Sequence, residues 1–135
     1  ADLLHRHRRA VADHGAAFYL TVDSPWFHGG MGRSVSTSTA IARAIQGITG
    51  VAPTVCGKPS AALADVLRAR LGSGDIVIMG DAAFIEMRMA RQMGALGALV
   101  LSGGTVAEDL PSLPDTDRPH LVAQDAADLL RILTN

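Results

Sequence analysis

The sequence predicts an α/β fold: a parallel sheet with helices on its faces. Three observations carry that prediction. From residue 54 onward, short apolar segments alternate with segments of helical periodicity, in the order strand, helix, strand, helix, strand, loop, strand, helix. Such alternation implies βαβ units, whose right-handed crossovers set the strands parallel. The run Ile76-Val77-Ile78-Met79 shows no polar alternation, as expected of a strand covered on both faces. Glycines and prolines then punctuate the chain between these segments, at Gly50, Gly57, Pro59, Gly72, Gly74 and Gly94.

Taken in order, residues 2–14 read as a helix with Leu3, Leu4 and Val11 apolar and Gly15 as its stop. Its basic run, His5 to Arg9, reads as a solvated face, with a phosphate- or partner-contacting patch as the alternative. Ala17 to Val22 is a strand by its aromatic and β-branched content. Asp23 to Gly32 reads as a loop, whose Trp26, Phe27 and His28 plug an apolar gap or line a pocket mouth. Gly29-Gly30-Met31-Gly32-Arg33-Ser34 precedes a helix and offers an anion cradle at its N-terminus, without P-loop or dinucleotide spacing. That helix runs from Ser34 to Gly47, with Ile41, Ala42 and Ile45 on one face.

Thr54-Val55-Cys56 is a short strand stopped by Gly57-Lys58-Pro59-Ser60, with Ser60 placed to cap the helix at 61–71. The Ile76 strand ends at Gly80-Asp81, and a helix over 84–93 closes at Gly94. Ala98 to Leu101 is the next buried strand. A polar connection over 105–118 leads to a last strand, His120 to Ala123, and Asp125 caps the terminal helix. Cys56, inside a strand, is expected to be an inert core residue, and Met87, Met89 and Met93 to be packing.

Composition excludes several classes of function. The chain has 135 residues, 48% of them hydrophobic and 19% charged, with a net charge of -1, so it carries no general electrostatic case for nucleic acid or an anionic membrane. One cysteine permits no internal disulfide and fits a reducing compartment, hence the cytoplasm. No apolar run approaches the roughly 20 residues of a membrane span. The basic N-terminus lacks the apolar core of a signal peptide, and opening on Ala1 rather than Met is expected of processing or of an expressed fragment. The five histidines show no metal-ligand spacing.

Chemistry gathers at the strand ends. Lys58 follows one strand, Asp81 the next, and Ser102-Gly103-Gly104 the third. Open α/β sheets keep their ligands at this edge. A carboxylate and an ammonium together suit a Mg²⁺-assisted phosphate site, the first as a hard oxygen ligand and the second as a counter-charge. Glu86 stands five residues after Asp81, in the next helix's first turn. There it either holds a metal-bound water or only complements the helix dipole.

Gly57-Lys58-Pro59-Ser60, then a helix, then Ile76 to Asp81 with an acid at Glu86, resembles the third and fourth motifs of the haloacid dehalogenase (HAD) superfamily. The branch is that of p-nitrophenylphosphatases and nucleotide phosphatases, which carry an inserted α/β cap. Leu99 to Gly103, Gly15 to Thr21, Gly32 to Gly50 and the tail Asp109 to Leu133 fit the same pattern. The resemblance implies a partial HAD-like Rossmannoid parallel sheet flanked by helices, plus an α/β cap segment. Residues 1–53 would be cap and residues 54–135 the C-terminal half of the core. It implies a Mg²⁺-dependent phosphatase of small phosphomonoesters. Lys58 would hold phosphate and nucleophile, Asp81 would ligate Mg²⁺, and Glu86 would support the metal's water shell. Ser60, Thr21 and Asp23 would contact phosphate or substrate.

The departures matter as much. The nucleophilic Asp-x-Asp-Gly-Thr/Val motif of the family is missing from this sequence. The one Asp-x-Asp, Asp115-Thr116-Asp117, follows a polar Pro-rich loop instead of a buried strand and is read as a decoy. Thr21-Val22-Asp23 lacks the family's Asn, Phe84 replaces a polar residue, and Glu86 stands where most relatives have Asp. The expectation is therefore a half-site: inactive alone, with the nucleophile supplied by a separate polypeptide or an N-terminal portion. The alternatives are a non-catalytic binding or scaffolding module derived from such an enzyme, and a small α/β domain with a convergent Gly-Asp. Expected partners are a small phosphorylated metabolite and either an N-terminal-half chain or a second copy, because the family's first core strand lies mid-sheet and leaves an edge open without it.

Overall fold

A computed structural model describes residues 2–29 and 31–135. Gly30, one glycine of the expected anion cradle, and the Leu3 side chain lie outside the described residues. The chain opens with α1 (Asp2–Arg8), which continues into a wider π-type turn, Arg9–Asp13, that buries Val11. The basic run is partly neutralised at the surface by the pairs Arg6–Asp2 and Arg8–Asp13.

β1 (Tyr19–Val22) leads into two antiparallel strands, β2 (Trp26–Gly29) and β3 (Gly32–Val35), with Gly29 opposite Gly32. The expected loop over Asp23 to Gly32 is therefore half of a hairpin. Its residues carry little β-branching, and the ladder is built from backbone bonds that need none. The next helix, α2 (Thr37–Thr49), begins three residues later than expected because Ser34 and Val35 belong to β3. The anion cradle is thereby corrected too: Arg33 and Ser34 lie in a strand, not at a helix N-terminus. α2 packs Ala42 and Ile45 inward and ends at Gly50.

β4 (Thr54–Lys58) pairs in parallel with β1. Beyond it come α3 (Ala61–Leu71), β5 (Val77–Gly80), α4 (Ala83–Met93), β6 (Leu96–Val100), β7 (Leu121–Ala123) and α5 (Ala126–Thr134). β5, β6 and β7 form a second parallel sheet in that order. So the strands after residue 54 do not share one sheet: β4 joins β1, and β5 has only β6 beside it among the described residues.

The second sheet is covered on both faces. On one, α3 and α4 contribute Ala64, Met89, Ala90 and Met93 against Ile76 and Ile78. On the other, Leu129 of α5 packs with Val77, Ala98, Val100 and Ala123. A third cluster joins Ala83, Met87 and Leu99 to Leu101, Leu110 and Leu113. Met87, Met89 and Met93 are packing, as expected. Two burial expectations fail. Met79 is 48% exposed, because β5 is an edge strand, whereas the middle strand β6 is buried from Gly97 to Val100. Cys56 is exposed, because β4 has a single neighbour and turns Thr54, Cys56 and Lys58 to solvent. No helix among the described residues is long and apolar enough to cross a membrane.

Candidate functional site

Lys58, Glu86 and Asp81 meet where β4 and β5 end. Lys58 is the last residue of β4, before a cis Lys58–Pro59 bond and the Ser60 cap of α3. Its Nζ donates to Glu86 Oε1 at 2.9 Å. Glu86 is buried, and its other oxygen accepts from the backbone N–H of Ala82 at 3.1 Å. It thus satisfies an orphan donor at the N-terminus of α4 while meeting a cation from the other sheet. A Cβ on Gly80 would overlap the Glu86 side chain. Glycine at that position is what lets the carboxylate lie across the end of β5.

Asp81 follows directly. Its Oδ2 accepts from the backbone N–H of Gly104 at 2.7 Å. A Cβ on Gly103 would overlap this carboxylate, so the loop after β6 closes on Asp81 only with glycine there. Thr105 Oγ1 accepts from Ala83 N at 3.3 Å and ties the same loop to α4. Asp81 Oδ1 has no hydrogen bond among the described residues. No buried side-chain polar atom among them lacks a partner, so that oxygen is open to solvent. Asp81 borders a cleft of about 350 Å³ lined by Glu86, Val22, Trp26, Phe27 and Ile85 among others.

The hairpin roofs this edge. Trp26 packs on Phe84, with ring centroids 5.0 Å apart, and its ring lies 3.1 Å from the Cβ position of Gly104. The Arg33 guanidinium stacks 4.4 Å from the Trp26 ring, donates to Gly104 O at 3.4 Å and pairs with Asp109 at 3.8 Å. Trp26 is thus a plug as the sequence suggested, while Phe27 is 54% exposed.

The other sequence candidates lie apart. The Ser60 hydroxyl accepts from Leu63 N at 3.2 Å as a helix cap. Thr21 borders a different cleft, between β1 and α2. Asp23 forms a two-pronged pair with Arg43, at 2.5 and 2.6 Å. The decoy is structural: Asp117 is buried and receives Arg88 Nε at 2.6 Å and its second nitrogen at 2.9 Å. Burial pushes the Asp117 carboxyl up, but hydrogen bonds from Arg88 and Thr116 and the nearby arginine charges bring it below its usual range. Another cleft, about 820 Å³, lies by Arg68, Arg91 and His120, near where β5 and β6 begin and away from Asp81.

Sequence reasoning missed the Gly104 amide, the Thr105 hydroxyl and Arg33. The first is a backbone group and carries no side-chain signal. Arg33 was visible only as part of a supposed cradle.

The donor set bears on a divalent cation. Among the described residues no group of three or more His, Cys, Asp or Glu stands close enough to hold an ion. Both Glu86 oxygens are engaged, and Asp81 offers one. Mg²⁺ takes one or two carboxylates and fills its shell with water and phosphate oxygens. Asp81 therefore fits such an ion as one ligand, with Glu86 beside it.

Parallel strands with helices on both faces, and a lysine and carboxylates at the strand ends, fit an α/β domain of the HAD kind. The family model described as HAD-hydrolase-like matches residues 55–129, and the chain belongs to that family. Similar solved structures include a p-nitrophenyl phosphatase from Archaeoglobus fulgidus (TM-score 0.83, 25% identity), which covers 98% of this chain and of which this chain covers 52%. NagD from Escherichia coli K-12 is similar at TM-score 0.74 and 27% identity, over 94% of this chain and 49% of that one. A glycerol phosphate phosphatase from Mycobacterium tuberculosis, solved with magnesium, shares the fold at TM-score 0.82 and 24% identity, over 96% and 39%. The chain thus spans 39% to 52% of these relatives' length. No curated protein matches the chain.

Proposed function

We propose that this chain supplies the phosphate- and metal-holding half of a Mg²⁺-dependent phosphomonoesterase. One observation carries the reading: Lys58, from the end of β4, bonds Glu86 beside Asp81 at the end of β5 in the other sheet, with Asp81 fixed by a backbone amide and one oxygen left open. Asp81 would hold the metal, and Lys58 would exchange its bond to Glu86 for one to a phosphoryl oxygen. The metal, when bound, draws charge from the phosphoryl group. Glu86 keeps Lys58 in place before substrate arrives. Ser60 would act as the cap of α3, and Thr21 and Asp23 as framework beside β4 and α2. Similarity to a glycerol phosphate phosphatase and a p-nitrophenyl phosphatase supports phosphomonoesters as substrates. Residues 1–53 as cap and 54–135 as half-core belong to the same proposal, as do a cytoplasmic setting and a partner along the open edge of β5.

A non-catalytic binding role has one observation in its favour: the sole Asp-x-Asp is spent on Arg88. Phosphate-monoester hydrolysis needs up to about 10²¹-fold acceleration, which a lysine and a carboxylate without a covalent nucleophile do not supply. The purified chain is expected to show no turnover of p-nitrophenyl phosphate with Mg²⁺. Turnover that disappears in Asp81→Ala would overturn the half-site account.

A further inference from the structure

The cleft of about 820 Å³ lies where β5 and β6 begin, at the other end of these strands from Asp81. Four segments bring polar groups to it. Arg68, in the last turn of α3, has no hydrogen-bond or ion-pair partner among the described residues. The side chains of Ser73 and Asp75, in the loop that follows, have none either. Arg91, near the end of α4, bonds to the carbonyls of Asp115, Thr116 and Arg118 and to no carboxylate. His120, just before β7, accepts from the Gly97 N–H through Nδ1 at 2.9 Å, so a neutral ring carries its proton on Nε2 as a donor. Gly94 makes room for the first of these groups: a Cβ there would stand 3.1 Å from a terminal nitrogen of Arg68. Positive charge in a helix's last turn complements the dipole, which accounts for Arg68 and Arg91. It does not account for Ser73 and His120, which reach the same cleft from outside the helices.

We infer that this cleft binds a small organic phosphate, with the phosphoryl group on Arg68 and His120 and a hydroxyl-bearing body against Ser73 and Asp75. Uncommitted donors dominate the lining: a guanidinium, an imidazole N–H and a hydroxyl. Guanidinium is the side chain best matched to phosphoryl oxygens, which it meets with two parallel N–H bonds. Asp75 is the one carboxylate among the described lining residues. A bare phosphate would face that charge unscreened, whereas an ester whose body carries hydroxyls presents donors to it. At about 820 Å³ the cleft is much larger than one phosphate group and falls in the range of organic-ligand sites. This site is separate from the Asp81 edge and needs no metal.

Glucose 6-phosphate, inorganic phosphate and glucose would be titrated calorimetrically into the chain with a chelator present and Mg²⁺ absent. Glucose 6-phosphate is expected to bind about tenfold or more tighter than inorganic phosphate, and glucose not to bind. Arg68→Glu, at an exposed position without a protein partner, is expected to weaken the ester about tenfold or more. Arg68→Lys should retain part of the affinity, and Asp75→Ala should weaken the ester severalfold while sparing inorganic phosphate. Asp81→Asn is expected to leave ester binding unchanged. No binding of the ester, or binding indifferent to Arg68→Glu, would overturn the site. Ester binding lost in Asp81→Asn would place the ligand at the other edge and overturn it equally. Inorganic phosphate binding as tightly as the ester would overturn the organic ligand class.

Discussion

The two sheets differ in how completely they are enclosed. The β5–β6–β7 sheet has helices on both faces, and Met87, Met89, Met93 and Leu99 are almost wholly buried around it. The β1–β4 sheet has α2 against β1 and α3 against β4 but leaves more of its side chains open. There Cys56 is exposed, and Tyr19 is 63% exposed. The candidate site lies between these unequal halves, with Lys58 reaching from the looser sheet to Glu86 in the tighter. Stability and chemistry are therefore divided: the β5–β6–β7 sheet holds the domain together, the β1–β4 sheet brings one charge, and the β2–β3 hairpin brings the roof.

Core substitutions test that division most strongly. Met93→Ala, at a fully buried position between α3 and α4, is expected to cost about 2–5 kcal/mol. Tyr19→Ala should stay within about 0.5 kcal/mol, as for most exposed positions. Denaturant midpoints measure both, and equal costs would erase the distinction between the sheets.

A smaller effect is expected from Arg88→Ala, which strips the buried Asp117 carboxylate of its counter-ion at a cost of about 2 kcal/mol. Asp117 titrates lower in the folded chain than its value of about 3.9 when unfolded. Its contribution is therefore fully present above the unfolded value and is lost as pH falls through the folded one. Stability against pH should show the variant and the parent converging in acid and separating at neutral pH. A constant gap down to strongly acid pH would deny the pair its role. Ser60→Ala, which removes the cap of α3, should cost about 1 kcal/mol by the same measurement.

Much of the second half was legible in the sequence, because its signals are local. Ser60 and Gly72 bracket α3, Gly94 closes α4, and Asp125 caps α5 by accepting from Asp128 N at 2.8 Å. The convergence of Lys58, Asp81 and Glu86 was readable from motif order. That Glu86 would be Lys58's partner was not, since the pair is 28 residues apart and sits on different elements. The hairpin was missed because three of its ten residues are glycine and its ladder is backbone. Cys56 and Met79 were misjudged for one reason: apolar content marks a strand but does not say how many neighbours it will have. Arg88 and Asp117, 29 residues apart, carry no periodic signal at all.

The central claim is that Asp81 and Lys58 form half of a metal–phosphate site. Calorimetric titration of Mg²⁺ and inorganic phosphate into the chain tests it most directly. The account predicts saturable binding, weakened tenfold or more (about 1.4 kcal/mol) in both Asp81→Asn and Lys58→Ala. Binding of the same strength in either variant, or no binding by the parent chain, would contradict it.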